Sequence, residues 1–146
     1  ASGLKAILRH SPDVIMIGEI RDLETAQAAV QASLTGHLVI TTVHAKNPVG
    51  CLYRLMDLGI PIDDLKQAIL GITSQQLVIT SFDREKDRLS PNRSSLYEIL
   101  YGNTLEEAFE AIKAGTTFNM PIESTLYNQY ERGVKMGAIQ VSPTTY

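Results

Sequence analysis

Four residues in the first third of this 146-residue chain have the types and spacing for water-activating chemistry: Glu19, Arg21, Thr42 and His44. Glu19 follows the apolar run Val14–Ile17 and Gly18. A buried strand ending in Gly-Glu projects its carboxylate from the C-terminal edge of a parallel sheet, where open α/β folds bind ligands. Such a group can orient and deprotonate a water, or reach a hydrated Mg²⁺. Arg21, two positions on, can neutralise phosphate charge or pair with a carboxylate of its own. His44 ends the next apolar run, beside Thr42. If the two strands are neighbours, His44 shares an edge and a cleft with Glu19 and can hydrogen-bond a γ-phosphate or its attacking water. The pattern by itself also admits plainer roles. Glu-x-Arg after a strand can be helix-start electrostatics, and His44 a strand-end histidine bonded to backbone.

The other candidates are weaker. His37 and His44 are seven positions apart, and odd spacing on a strand sends side chains to opposite faces, which argues against a shared metal ion. Cys51 lies on an amphipathic stretch and reads as a small buried hydrophobe. The alternating charges of residues 83–88 read as a solvated loop. No G-x-x-x-x-G-K-[ST] segment occurs in the sequence, so no backbone amides and lysine of that kind cradle the β- and γ-phosphates. No glycine-rich dinucleotide fingerprint and no Ser-His-Asp or Cys-His arrangement takes its place.

The elements that must position these residues follow from patterning. Val14–Ile17 reads as a strand buried on both faces of a parallel sheet. Residues 22–34 read as a helix with Asp22 at its N-cap, a stripe of small residues inside, and Gly36 at a left-handed C-terminal position. Residues 38–43 read as a second buried strand, completing a right-handed βαβ unit. Asn47 and Pro48 open the next helix and Gly59 ends it. Residues 62–77 are predicted to form another helix, opened by Asp63 and Asp64. Strands at 77–82 and 94–101 flank the loop. Thr104 with Glu107 predicts a capping box for a helix closed by Gly115, and residues 121–132 predict a last helix. The expected division is an α/β part over residues 1–80 and an appendage over 81–146, a small β-hairpin followed by mostly helix.

Composition narrows the class. The chain is 44% hydrophobic and 20% charged with net charge −3, which fits a folded globular protein and argues against a domain built to grip nucleic acid. A single cysteine excludes an internal disulfide and a cysteine-cluster zinc site, and fits a reducing cytoplasm. No apolar run approaches the roughly 20 residues that span a bilayer. The sequence opens within an amphipathic helix (Leu4, Ile7, Leu8), and its start is expected to be a boundary inside a longer protein.

The run LRHSPDVIMIGEIRDLETAQAAVQASLTGHLVITTVHAKN closely resembles the secretion ATPase superfamily, the motors of type II secretion, type IV pili and competence pseudopili. DVIMIGEIRD is similar to their Walker B strand, in which Gly18 stands where other P-loop proteins place an aspartate. Glu19 matches the family's catalytic glutamate. TGHLVITTVHAKN resembles the histidine box, with His44 as its histidine. GITSQQLVI is similar to the family's Q-R-L segment with Gln76 in place of arginine, and SSLYEIL resembles a (Y/H)E(I/L)L strand. The four-cysteine module usual in type II secretion motors is missing from the loop after it, which favours the competence branch or a zinc-free pilus branch, and of these the competence pseudopilus motor.

The resemblance implies the C-terminal part of a RecA-like P-loop ATPase core in a homo-hexamer. The ring would dock on an inner-membrane platform protein at the cytoplasmic face and drive pilus-like assembly for DNA uptake or type II secretion. It implies catalytic roles for Glu19, His44 and Arg21. Gly18 and Thr42 would face the cofactors, ATP and Mg²⁺, the metal meeting Glu19 through water. The phosphate-binding loop is expected upstream, so the chain alone is not expected to bind ATP. A pilus retraction motor, a conjugation-type ATPase, or an autonomous module contacting neighbouring subunits or the platform protein are the alternatives.

Overall fold

The structure, a computed structural model, describes residues 12–80 and 93–140. The expected opening helix with Leu4, Ile7, Leu8 and His10, and most of the charged loop, lie outside the described residues. Strand β1 (Val14–Ile17), helix α1 (Leu23–Leu34) and strand β2 (Leu38–Thr41) form the βαβ unit. β1 and β2 pair in parallel from Val14 opposite Leu38 to Ile17 opposite Thr41. Asp22 caps α1, its Oδ1 accepting the Thr25 N–H at 2.8 Å. This satisfies one of the unpaired amides of the first turn. Ala26, Ala29 and Ala32 form the buried stripe, small enough for the helix to lie close on its neighbours. Gly36, at φ +96°, reverses the chain into β2 through a conformation that a β-carbon disfavours.

Helix α2 (Pro48–Asp57) begins as expected, with Asn47 Oδ1 accepting the Gly50 N–H at 2.7 Å and proline in the first turn. It buries Cys51, Leu52 and Leu55. Burial pushes the Cys51 thiol up to about 11. Helix α3 (Ile62–Ala68) follows, and the Ser33 hydroxyl of α1 donates to the Ala68 carbonyl at its end, at 3.0 Å.

Several expectations are corrected. The helix expected over 62–77 stops at Ala68, and Gly71–Ile79 is strand β3. It pairs antiparallel with β4 (Arg93–Tyr101) along its whole length, Gly71 opposite Tyr101 and Ile79 opposite Arg93. That pairing is between segments distant in sequence, so local periodicity carries little sign of it. Next, helix α4 (Gly102–Lys113) has no capping box. Its N-cap is Tyr101, without a side-chain cap bond, because β4 runs straight into the helix through Gly102 at φ +55°. Finally, β1 is not buried on both faces. Ile15 is 2% exposed and Met16 80%, and Val14, Leu38 and Ile40 are also exposed. The crossover α1 covers one face, where Ile17 and Val39 pack against the core. No second helix among the described residues covers the other.

The last part forms a 3₁₀ turn (Ile122–Ser124) and helix α5 (Leu126–Lys135), capped by Thr125, in place of one helix over 121–132. Buried Glu98 of β4 holds its start, accepting the Leu126 N–H on Oε2 at 3.0 Å. The core crosses the division expected at residue 80: Leu52 and Leu65 share one cluster with Leu100, Leu105 and Phe109. Each such side chain contributes roughly 1.5–3 kcal/mol on burial. Lys66 bridges Glu106 and Glu110, and Lys113 meets Asp63, which fixes how α3 lies on α4. These exposed pairs weigh little beside the apolar cluster.

Candidate active site

Because β1 and β2 run parallel and in register, the residues that follow them emerge on the same edge. The edge is tied across the strands twice. The Ile20 N–H donates to the Thr42 carbonyl at 3.0 Å, and the Thr42 hydroxyl donates to the Gly18 carbonyl at 2.6 Å. Glu19 lies between these two ties. Its neighbour Ile20 is buried and anchors the turn, which leaves the Glu19 carboxylate 21% exposed at the surface.

Both carboxylate oxygens are engaged. Arg21 NH2 lies 2.6 Å from Oε2, and His44 Nε2 lies 3.0 Å from Oε1. Both partners reach in from solvent, with Arg21 76% and His44 89% exposed. The hydrogen bond from Arg21 holds the Glu19 carboxyl below its usual pKa, more than its slight burial raises it, and electrostatic attraction to Arg21 and, last, to His44 acts in the same direction. Glu19 is therefore an ionised carboxylate at neutral pH, held between two partners. Asp22, close by in sequence, is spent on the helix cap, and the Thr25 N–H lowers its pKa.

Each residue singled out in the sequence can now be placed. Glu19, Arg21 and His44 form one contact group, and Thr42 buttresses it. Arg21 pairs with the carboxylate of Glu19. Gly18 has room: a Cβ built there meets nothing within 4 Å. His37 sits at the other end of β2, its Nδ1 3.0 Å from the Ala32 carbonyl. Sequence reasoning missed the grip of Thr42 on the Gly18 carbonyl; a hydroxyl just beyond a strand opposite a glycine is too common a pattern to single it out.

The donor set suits a hydrated Mg²⁺ and phosphate. A carboxylate and a hydroxyl are hard oxygen donors, and the two exposed cationic or hydrogen-bonding side chains beside them suit phosphate oxygens. A lone carboxylate fits contact through water better than a protein cage. A broad open cleft of about 1620 Å³ lies elsewhere, beneath α5, with Lys46, Tyr53, Glu98 and Tyr130 on its walls.

Comparison with known proteins gives the context. Residues 1–120 match the family described as type II/IV secretion system protein. The chain is 39% identical to the competence protein ComGA of Bacillus subtilis over 147 residues, covering 94% of this chain and 40% of that protein. It is 48% identical to the type II secretion system ATPase E of Vibrio cholerae over 113 residues, covering 71% of this chain and 22% of that protein. Among solved structures, the Yersinia pseudotuberculosis ATPase DotB superposes with a TM-score of 0.69 at 26% identity, over 94% of this chain and 37% of that one. The pilus retraction motor PilT with bound ADP superposes at 0.66 and 28% identity, over 99% and 43%. The chain thus spans less than half the length of these relatives. No helix among the described residues is long and apolar enough to cross a membrane. Family match, α/β fold and the two strand-end motifs agree, and the chain belongs to the type II/IV secretion system protein family, within the secretion ATPase superfamily.

Proposed function

We propose that this chain is the part of a hexameric Mg-ATP-hydrolysing motor that carries the catalytic carboxylate. The motor drives pseudopilus assembly for DNA uptake, at the cytoplasmic face of the membrane and docked on a platform protein. The observation that carries the reading is the meeting of Glu19 and His44 across two parallel strands, at 3.0 Å. The ComGA likeness, over 94% of this chain, supports the competence branch, as does a single-cysteine sequence.

Glu19 accepts the proton of the attacking water, held in its ionised form by Arg21. His44 keeps the carboxylate turned toward the strand edge and, being mostly exposed, is free to turn and donate to a phosphate oxygen. Gly18 and Thr42 line the same edge, where the missing side chain at Gly18 leaves the backbone open to a ligand. Bound Mg²⁺ would supply charge neutralisation on the phosphate oxygens, with Glu19 reaching it through water. The phosphate-binding loop belongs to the preceding part of the longer protein.

Calorimetric titration of this chain with Mg-ATP is expected to show no saturable micromolar binding, while the full-length protein hydrolyses ATP. Saturable binding by this chain alone, or a full-length protein without ATPase activity, would sink the reading. A second reading, a pilus retraction motor, is favoured by the likeness to PilT over 99% of this chain. Assembly against disassembly of filaments on deleting the gene separates the two.

A further inference from the structure

We infer that Thr42 is a positioning residue for Glu19, acting through the backbone and not on the nucleotide. The inference rests on the catalytic reading of Glu19 given above. Thr42 holds the chain on both sides of that residue: its hydroxyl donates to the Gly18 carbonyl at 2.6 Å, and its carbonyl accepts the Ile20 N–H at 3.0 Å. Glu19 is the single residue between the two anchors. The peptide planes on either side of it are therefore fixed to the next strand, and with them the direction of its Cα–Cβ bond.

The two anchors are not equivalent. The Ile20 bond continues the main-chain pairing of β1 with β2 and needs no particular side chain at position 42. The Gly18 bond exists only because position 42 carries a hydroxyl. Beyond Ile17, nothing else in the described structure ties the Gly18 carbonyl, and a Cβ at Gly18 would touch nothing within 4 Å that could hold it by packing. The hydroxyl thus replaces the strand pairing that ends at Ile17 opposite Thr41. Without it, the Gly18–Glu19 peptide can rotate and swing the carboxylate away from His44 and from the water it must orient. Misplacement of a reacting group by an ångström is costly in rate even when binding is intact.

The test uses the full-length protein, with ATP hydrolysis followed for Thr42→Val and Thr42→Ser. Thr42→Val keeps the β-branched shape and removes only the donor; its kcat is expected to fall about tenfold, with KM for ATP moving less than about twofold. Thr42→Ser, which restores the hydroxyl, is expected to recover most of the rate. In a Glu19→Gln background, Thr42→Val is expected to change nothing further, because the residue it positions has gone. A Thr42→Val enzyme with wild-type kcat overturns the assignment, as does a loss of equal size in the Glu19→Gln background. A rise in KM at unchanged kcat assigns Thr42 to nucleotide contact instead. A wild-type protein without ATPase activity is a separate outcome, which removes the catalytic reading beneath the assignment.

Discussion

The strand-end group at β1 and β2 and the hairpin of β3 and β4 are built in opposite ways. The first uses two strands of four residues each, with one apolar face exposed, and concentrates its polar side chains at a single edge. The second uses two strands of nine residues paired throughout, and its inward residues Val78 and Leu100 are buried. The proposed chemistry sits on the short strands, and continuous strand pairing on the long ones. Short strands place two loops side by side with little intervening structure, which suits a site that must reach a ligand. Long strands lead into α4, which adds Leu105, Ala108 and Phe109 to the core, and give α5 a surface to lie on, held at its start by Glu98. Changes at the edge should therefore alter rate and spare folding, and changes in the hairpin's packing should do the reverse.

The sharpest attempt to break that contrast is Glu19→Gln in the full-length protein. ATP hydrolysis should fall by about 10²–10⁴-fold, the usual contribution of a general base. The thermal midpoint should hardly move, because glutamine keeps the side chain's shape and the two partners, Arg21 and His44, are largely exposed. A large loss of stability would show that the edge is structural after all. On the dense side, Phe109→Ala empties a fully buried position and should destabilise the chain by about 3–5 kcal/mol in chemical denaturation. A loss below about 1 kcal/mol would mean that α4 is not part of the common core.

The smallest expected effect concerns pH. Arg21 depresses the Glu19 pKa, so the carboxylate's favourable interaction is complete above the unfolded-state value and is lost as pH falls through the lower, folded one. The acid limb of the hydrolysis profile should lie below the ordinary glutamate range. Arg21→Gln should move that limb upward, leaving the rate at neutral pH little changed. An unshifted limb would assign the titration to another group.

How far the sequence could be read also differs between the regions. The edge was largely legible because its signals are local: Asp22 and Asn47 cap the helices expected of them, and Gly36 makes its turn. The meeting of Glu19 with His44 needed only the assumption that consecutive parallel strands are neighbours. The hairpin was half legible. The sequence signals β4 nearly as found, but the start of β3 reads as helix because the partner of Gly71 is Tyr101, far along the chain. Thr104 and Glu107 have the spacing of a capping box, yet the N-cap is Tyr101, three residues earlier, where strand geometry ends. The exposure of Met16 was hidden for another reason: an apolar run reveals what a strand is suited to pack against, not how many neighbours are present.

Buried Cys51 has a practical consequence. It is the one thiol in the sequence, and burial inside α2 pushes it up to about 11, which disfavours the reactive thiolate at neutral pH. A cysteine introduced at an exposed position such as Tyr127 would react with maleimide far faster than the native one. This chain thus accepts a single fluorescent label on α5 without first being made cysteine-free, and the label's emission reports on whether the tail stays against the hairpin.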